Sequence, residues 1–517
     1  MPVQDLKLMM GGKVNRRDPI DELAEGDVRS RENFMVVGVG KNTRVNKKMS
    51  GSSRYSTNDI TDSIRWLARY YNENSQTRKT FAFANGKLYH YAPNGDETEK
   101  ITDMEATAIP DHEIMKVSGN IIMYVVDGST GMRSHDGNEG HDWITETDVT
   151  LNFVKIVSHL DRLWGFEENS DNLYFSANLA PTDFTSATDA GVITIGAQRG
   201  SRIKNVFLWN EVLYILKEDS MWVLEGRTPN TFTVRQVTGV SGTPARNSLA
   251  VDTRNNSGVY YMNQDYEFGV FDGVSFKILS YNFALGGDLT KDLNPIINKN
   301  SAFLDNAYAT FHNFLYRCSF TEDGDTQNKL EYIYNTTNQT DGLTRGNNVS
   351  CYMIQDRTPD RQELFTGRSD NGLIMQQYLG LNWDNDASSP TMPLKLHTGF
   401  IGKTIRNKRF KRVWGDFQVL GAEPLRLYYW LDNRNANSDR QNEQLDTIGE
   451  KKALTNFVNI ISQDGVTSRA VLKWDGSHGQ SIAFVIDQDR KDVDLSISAI
   501  HVEVIVKTKK RNRFVGV

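Results

Sequence analysis

The chain has 517 residues, enough for more than one core, and 38% hydrophobic, 24% charged and 10% aromatic side chains place it among folded proteins. A formal net charge of −6 with both signs interleaved argues against a general nucleic-acid binder, which would carry a basic face, while leaving room for DNA that passes without sticking. No apolar run reaches the roughly 20 residues of a membrane span, and no apolar signal-peptide region follows the N-terminus. Two cysteines, Cys318 and Cys351, are too few for a disulfide framework, so synthesis in a reducing cytosol and two free, buried thiols are expected. The 40 glycines, with many Asn and Asp, supply turns at a density that favours an all-β fold.

In chain order, residues 1–55 read as an N-terminal arm. Gly11 to Gly26 is polar and turn-rich, and Asn33-Phe34-Met35-Val36-Val37 gives one strand. Lys41, Arg44, Lys47 and Lys48 form a basic cluster, read first as a solvated loop and second as a phosphate site. From Asp59 to Tyr71 the spacing of Ile60, Ile64, Leu67 and Tyr71 suits a helix, whereas Ile64, Trp66, Ala68 and Tyr70 suit a strand; the strand-rich surroundings favour the strand.

Residues 56–385 carry a repeat, a turn followed by aromatic and β-branched residues in alternation. It recurs at Asn85–Tyr91, Gly119–Tyr124, Asp161–Phe166, Asn210–Ile215, Gly258–Met262 and Asn313–Cys318. The interval of roughly 35 to 55 residues is that of one four-stranded propeller blade. Second strands close at Asp127-Gly128, Asp272-Gly273 and Asn371-Gly372. Such units bury their faces only against neighbours, and closing the ring removes exposed ends. A β-propeller is therefore expected, with a set of β-sandwiches as the competing architecture. After Trp383 the polar stretch Asn385–Pro390 reads as a linker, and residues 386–517 as a β-sandwich. Its cleanest alternation places Ile500, Val502, Val504 and Val506 on one face; Lys507 to Arg513 is a basic tail.

No stretch assembles a catalytic constellation. Gly402-Lys403-Thr404 lacks the earlier glycine of a phosphate loop, His397 standing in its place, and has no βαβ context. Ser477 and His478 sit in one turn, where a triad cannot form. Asp136 to Asp142 gathers polar groups without calcium-loop or zinc spacing, and Glu322-Asp323-Gly324-Asp325 reads as a hairpin turn. No catalytic, cofactor-binding or metal-binding residue is assigned, and no cofactor is expected. Paired carboxylates on different blades are a possibility that local sequence does not address.

Three stretches resemble the tailed-bacteriophage propeller proteins of short-tailed phages, the packaged-DNA stabilisation and tail-nozzle types. They are Gly11-Gly12-Lys13-Val14-Asn15-Arg16-Arg17-Asp18-Pro19 leading to Asn33-Phe34; Leu163-Trp164-Gly165 with Asn172–Ser176, Pro181–Phe184 and Leu213–Trp222; and Lys408–Trp414. Lys47-Lys48-Met49-Ser50-Gly51 departs from the family's Lys-Arg-Pro-Gly turn by lacking the proline. The resemblance implies a non-enzymatic virion tail protein, made in the host cytoplasm and assembled as a homo-hexameric ring on the portal–adaptor axis. Such a ring extends the DNA channel, retains the genome and opens for ejection, contacting DNA without reading its sequence, with an acidic lumen that lets it slide. The competing class is a carbohydrate-binding or carbohydrate-active propeller for receptor recognition, marked by exposed Trp and Tyr at one mouth.

Overall fold

A computed structural model of the chain describes residues 3–9, 28–37, 45–58, 60, 62–138, 141–196, 201–280, 301–358, 361–379 and, from 392 to 506, the strands named below. The described residues form an all-β, seven-bladed propeller of antiparallel four-stranded sheets. Blade 1 is Trp66–Asn72, Thr77–Ala84, Lys87–Tyr91 and Glu97–Ile101, and blade 2 is Asp111–Val117, Asn120–Val126, Arg133–His135 and Ile144–Thr145. Blade 3 comprises Phe153–His159, Arg162–Glu167, Asn172–Phe175 and Gly191–Thr194; blade 4 comprises Ile203–Trp209, Val212–Lys217, Met221–Glu225 and Thr233–Val237. Blade 5 is Ala250–Val251, Val259–Met262, Phe268–Phe271 and Phe276–Ile278, followed by blade 6, Tyr308–His312, Leu315–Thr321, Asn328–Asn335 and Thr340–Arg345. Blade 7 takes three strands from this end, Val349–Thr358, Arg361–Arg368 and Ile374–Gln377.

Its fourth strand is Ser52–Arg54, from the N-terminal segment, paired Gln377 to Ser52 and Met375 to Arg54. Tyr55 N donates to the Ile374 carbonyl at 2.8 Å and Thr57 N to Gly95 O at 3.0 Å, so the closing strand is tied to blades 7 and 1 together. Gly95 (φ +89°) permits this approach, because a Cβ there would lie 2.2 Å from the Tyr55 carbonyl oxygen.

The first strands lie innermost and touch one another around the axis; blade 4 meets blade 5 through the 3-10 turn Arg246–Ser248. Alternation along each strand then faces one set of side chains to each neighbouring blade, and the core is a series of interblade layers. Trp66, Phe81, Phe83, Met123 and Val125 fill the layer between blades 1 and 2. Trp164, Phe166, Ile203, Val206, Leu213 and Ile215 fill that between blades 3 and 4. Each such buried side chain contributes about 1.5–3 kcal/mol relative to exposure. Between blades 5 and 6 the layer is aromatic, with Phe268 stacked on Tyr332 at 4.5 Å. Strand sites with both faces covered explain the ambiguous Asp59–Tyr71 pattern: Trp66, Leu67, Ala68 and Tyr70 are all buried, and the strand begins at Trp66.

The sheet of blade 6 continues beyond its own four strands. Val28–Glu32 joins it in parallel at Glu32–Leu343, and pairs on its other side with Met392–Thr398. Ile482–Arg490, Leu427–Leu431 and Lys452–Ala453 follow in order. Asn33, buried at φ +59°, anchors this junction: its N donates to Leu343 O at 2.9 Å, and its side chain accepts from Arg345 N at 3.0 Å and donates to Arg345 O at 3.2 Å. A second sheet orders Phe34–Val37, Val45–Lys48, Asp494–Val506, Lys408–Leu420 and Ser468–Lys473, with Val3–Met9 also on Asp494–Val506 and His478–Gly479 on Lys408–Leu420. Ile500, Val502 and Val504 are buried in it, as their alternation predicts. Residues 11–27, Lys41, Arg44, the 385–390 linker, Gly399–Thr404, Ser477 and the 507–513 tail lie outside the described residues.

Candidate functional site

The innermost strands leave an axial space whose chemistry is set mainly by blade 2. Asp111, His112 and Glu113 follow one another on its first strand, so period-two alternation sends the two carboxylates toward blade 3 and the imidazole toward blade 1. Asp111 lies 3.3 Å from Lys155 Nζ and accepts from Ile156 N at 2.9 Å; two residues further along both strands, Glu113 accepts from Ser158 Oγ at 2.9 Å. His112 meets the buried Trp66 ring edge-on at 5.1 Å. A cavity of about 430 Å³ opens here, lined by these residues together with Asn205, Asn247 and Tyr308. A second recess, of about 360 Å³, shares His112 and Tyr308 and reaches Arg69, Tyr71 and Tyr352. A third, of about 580 Å³, shares Ser158 and Leu208 and opens at the turn tips Leu160-Asp161 and Glu211, with Lys116 and Arg227. These are small-molecule dimensions. The lining carries both signs of charge.

Burial dominates the titration of this site. It pushes the Glu113 carboxyl up to about 7, against the Ser158 hydroxyl and with the nearby Asp111 charge. It pushes His112 down to about 4, against Asp111, so the ring is neutral at pH 7. Polar atoms near the axis that are buried without a hydrogen-bond partner include His112 Nδ1, Asn205 Oδ1 and Arg246 Nε. Asn205 is 1% exposed, and its Nδ2 donates to Arg246 O at 2.5 Å.

A second polar cluster stands between blades 6 and 7. The Arg317 guanidinium forks onto Glu331, with Nε to Oε1 at 2.5 Å and Nη2 to Oε2 at 2.7 Å. The Tyr352 and Thr344 hydroxyls each donate to the same carboxylate at 2.6 Å, and Arg317 lies over the Tyr378 ring at 5.6 Å. Burial opposes both charges, but their attraction outweighs it, holding Glu331 below the usual carboxylate range. Every charge here is matched within the chain, so this is a closure device rather than a reactive site.

The stretches singled out in the sequence fall elsewhere. Asp136 is a hairpin tip whose carboxylate accepts from Asn138 N at 2.9 Å and meets His141 Nδ1 at 2.8 Å. Asp325 N donates to Glu322 O at 3.1 Å in a turn, with Arg345 forked onto Glu322. No group of three or more metal-ligating side chains occurs among the described residues. Cys318 and Cys351 are free and buried, and burial pushes the Cys351 thiol up to about 12, away from reactivity. Trp66, Trp164 and Trp209 are buried, and Trp143 and Trp222 are half-buried against interblade cores. None of these five tryptophans forms an exposed platform at a mouth. The axial triplet was missed in the sequence, although Asp and Glu at alternate positions before an apolar run are its local signature.

No family model and no curated protein matches the chain. Among solved structures it is similar to the computationally designed protein Ika8, at 9% identity and a TM-score of 0.33, covering 67% of this chain and 97% of that one. It is also similar to PorZ, a bacterial surface component of the type-IX secretion system of Porphyromonas gingivalis, at 11% identity and a TM-score of 0.36. That match covers 72% of this chain and 44% of PorZ. At these scores neither bears on function.

Proposed function

We propose that the protein is a structural, non-enzymatic component of a short-tailed phage tail, of the nozzle or DNA-stabilisation type. In this reading six copies form a ring on the portal–adaptor axis and line part of the DNA channel. The observation that carries the proposal is the placement of the chain ends. Strands 3–48 pair with strands 392–506 and graft onto blade 6, outside a ring of blades that is already closed. A closed propeller needs no such addition for its own edges, so the appended sheets are free to make the heterologous contacts that a closed ring of subunits requires. The finer reading is that residues 386–517 make a β-sandwich with the N-terminal strands as its partner.

In this reading the DNA channel runs between subunits rather than along the propeller axis. Rigid strand-built walls retain the genome, and loop tips from each copy form the constriction that opens for ejection. The protein would be made in the host cytoplasm and reside in the virion tail. The carbohydrate-receptor alternative draws less support, since Trp66, Trp143, Trp164, Trp209 and Trp222 pack into the blades rather than onto a mouth.

Native mass spectrometry of the protein, alone and with a short-tailed phage portal–adaptor complex, tests the proposal. A monomer or weak oligomer that adds to the complex in a ring stoichiometry, and reduces DNA leakage from filled heads, is the expected result. A stable monomer that ignores the complex and binds glycans would overturn it.

A further inference from the structure

We infer that free copies of the chain pair face to face through one mouth of the propeller, Phe314 of each copy entering the recess between blades 2, 3 and 4 of the other. Strands alternate in direction across each blade, so the turns joining first to second and third to fourth strands gather on one face of the ring. Nine large apolar side chains are exposed among the described residues, and all but Tyr266 and Ile278 lie on that face or at its rim. Apolar exposure confined to one side marks an association surface.

Two features of this face fit each other. The projection is Phe314, 38% exposed, in the turn between the first two strands of blade 6, with the Arg254 guanidinium over its ring at 5.6 Å. Its φ of +63° is left-handed backbone, and the matching position of the Asn85 and Ser118 turns holds Gly86 and Gly119. A phenylalanine kept there against local preference, with its ring in solvent, is explained by a contact outside the subunit. The recess is the space of about 580 Å³ at the turn tips of blades 3 and 4. Leu160 and the exposed Leu179 and Leu208 line it, and Leu179 is fixed by its N–H donating to Asp161 O at 2.8 Å. Asp161 and Glu211 at its edge are the anionic counterpart of Arg254; Lys116 is engaged by Glu73 at 3.3 Å, and Arg227 lies further out on the third–fourth turn of blade 4. Projection and recess both sit at first–second turns, hence at similar distances from the axis, in separate sectors of the ring. A two-fold axis lying in the plane of the face and bisecting them seats both phenylalanines at once. A different protein would use one of the two features; a second copy uses both. This pairing is of free chains and is separate from ring contacts through the terminal strands.

The test is sedimentation equilibrium of the full chain alone. A monomer–dimer equilibrium with a Kd on the order of 10 µM is expected, the range of a small reversible interface. Phe314→Gly should weaken it about tenfold or more, while a thermal melt shows the fold retained, since glycine suits the turn. Leu208→Glu should weaken it from the side of the recess. Arg254→Glu should weaken it severalfold, and adding Asp161→Lys and Glu211→Lys should restore it, an exchange that damage to the fold would not produce. The inference fails if the chain stays monomeric at every concentration, if the dimer is indifferent to Phe314→Gly, or if the charge exchange restores nothing.

Discussion

Two carboxylates, the buried Glu331 and the half-buried Glu113, meet opposite fates in this propeller. Glu331 is 2% exposed and takes four hydrogen bonds, two from Arg317 and one each from Tyr352 and Thr344. Glu113 sits near the axis with the Ser158 hydroxyl and no ion-pair partner among the described residues. Burial raises the proton affinity of both, yet Glu331 is held low and Glu113 rises to about 7. The partner decides the outcome, and burial only sets the stakes. The difference follows position. Arg317 and Glu331 stand where blades 6 and 7 meet, and a forked ion pair there discriminates among registers as an apolar layer does not. Glu113, on the first strand of blade 2, has no such forked partner among the described residues.

The largest expected effect breaks the matched site. Glu331→Gln leaves Arg317 charged and buried, and urea unfolding should show a loss of about 3–5 kcal/mol. Removing one hydroxyl sharpens the point: Tyr352→Phe should cost about 1.5–3 kcal/mol, the range for a hydrogen bond to a charged group. At the axis the sign reverses. Glu113 is protonated in the folded state up to about pH 7 but only to about 4.5 when unfolded, so its contribution to stability is full below pH 4.5 and is lost as pH rises to 7. The parent-minus-Glu113→Gln stability difference should therefore fall by about 1–2 kcal/mol across that window, allowing for partial exposure. Subtraction cancels the histidines His112, His135 and His312, each pushed to about 4 by burial, which act in the opposite direction. Ser158→Ala removes the donor that opposes the rise, and should carry the upper end of the window above pH 7 with a smaller change in stability. Smallest of all, Arg317→Met with Glu331→Leu, Tyr352→Phe and Thr344→Val, which leaves no hydroxyl of the cluster stranded, should change stability by less than about 1 kcal/mol while slowing refolding, the pair selecting register rather than adding net stability.

Much of the fold was legible in local pattern. Five of the six repeat units are the second strands of blades 2 to 6, and Asn85–Tyr91 is the third strand of blade 1. Their turns carry the Asn and Asp residues that tolerate left-handed backbone, as at Asn210 (φ +51°) and Asn313 (φ +50°). Blade 7 was legible only at Asn371-Gly372, because its last strand comes from Ser52–Arg54 at the other end of the chain. The site was less legible for the same reason. Asp111 and Glu113 are ordinary polar strand residues until blade 3 places Lys155 beside one and only Ser158 beside the other, and Arg317 and Glu331 meet across a strand pair.

The central claim is that a closed propeller carries, on blade 6, terminal strands that assemble copies into a ring around DNA. An electron cryomicroscopy reconstruction of the chain on its portal–adaptor complex tests it most directly. The account predicts six copies touching through strands 3–48 and 392–506, with the propeller axes off the DNA path. Copies joined through the propellers alone, or no ring at all, would contradict it.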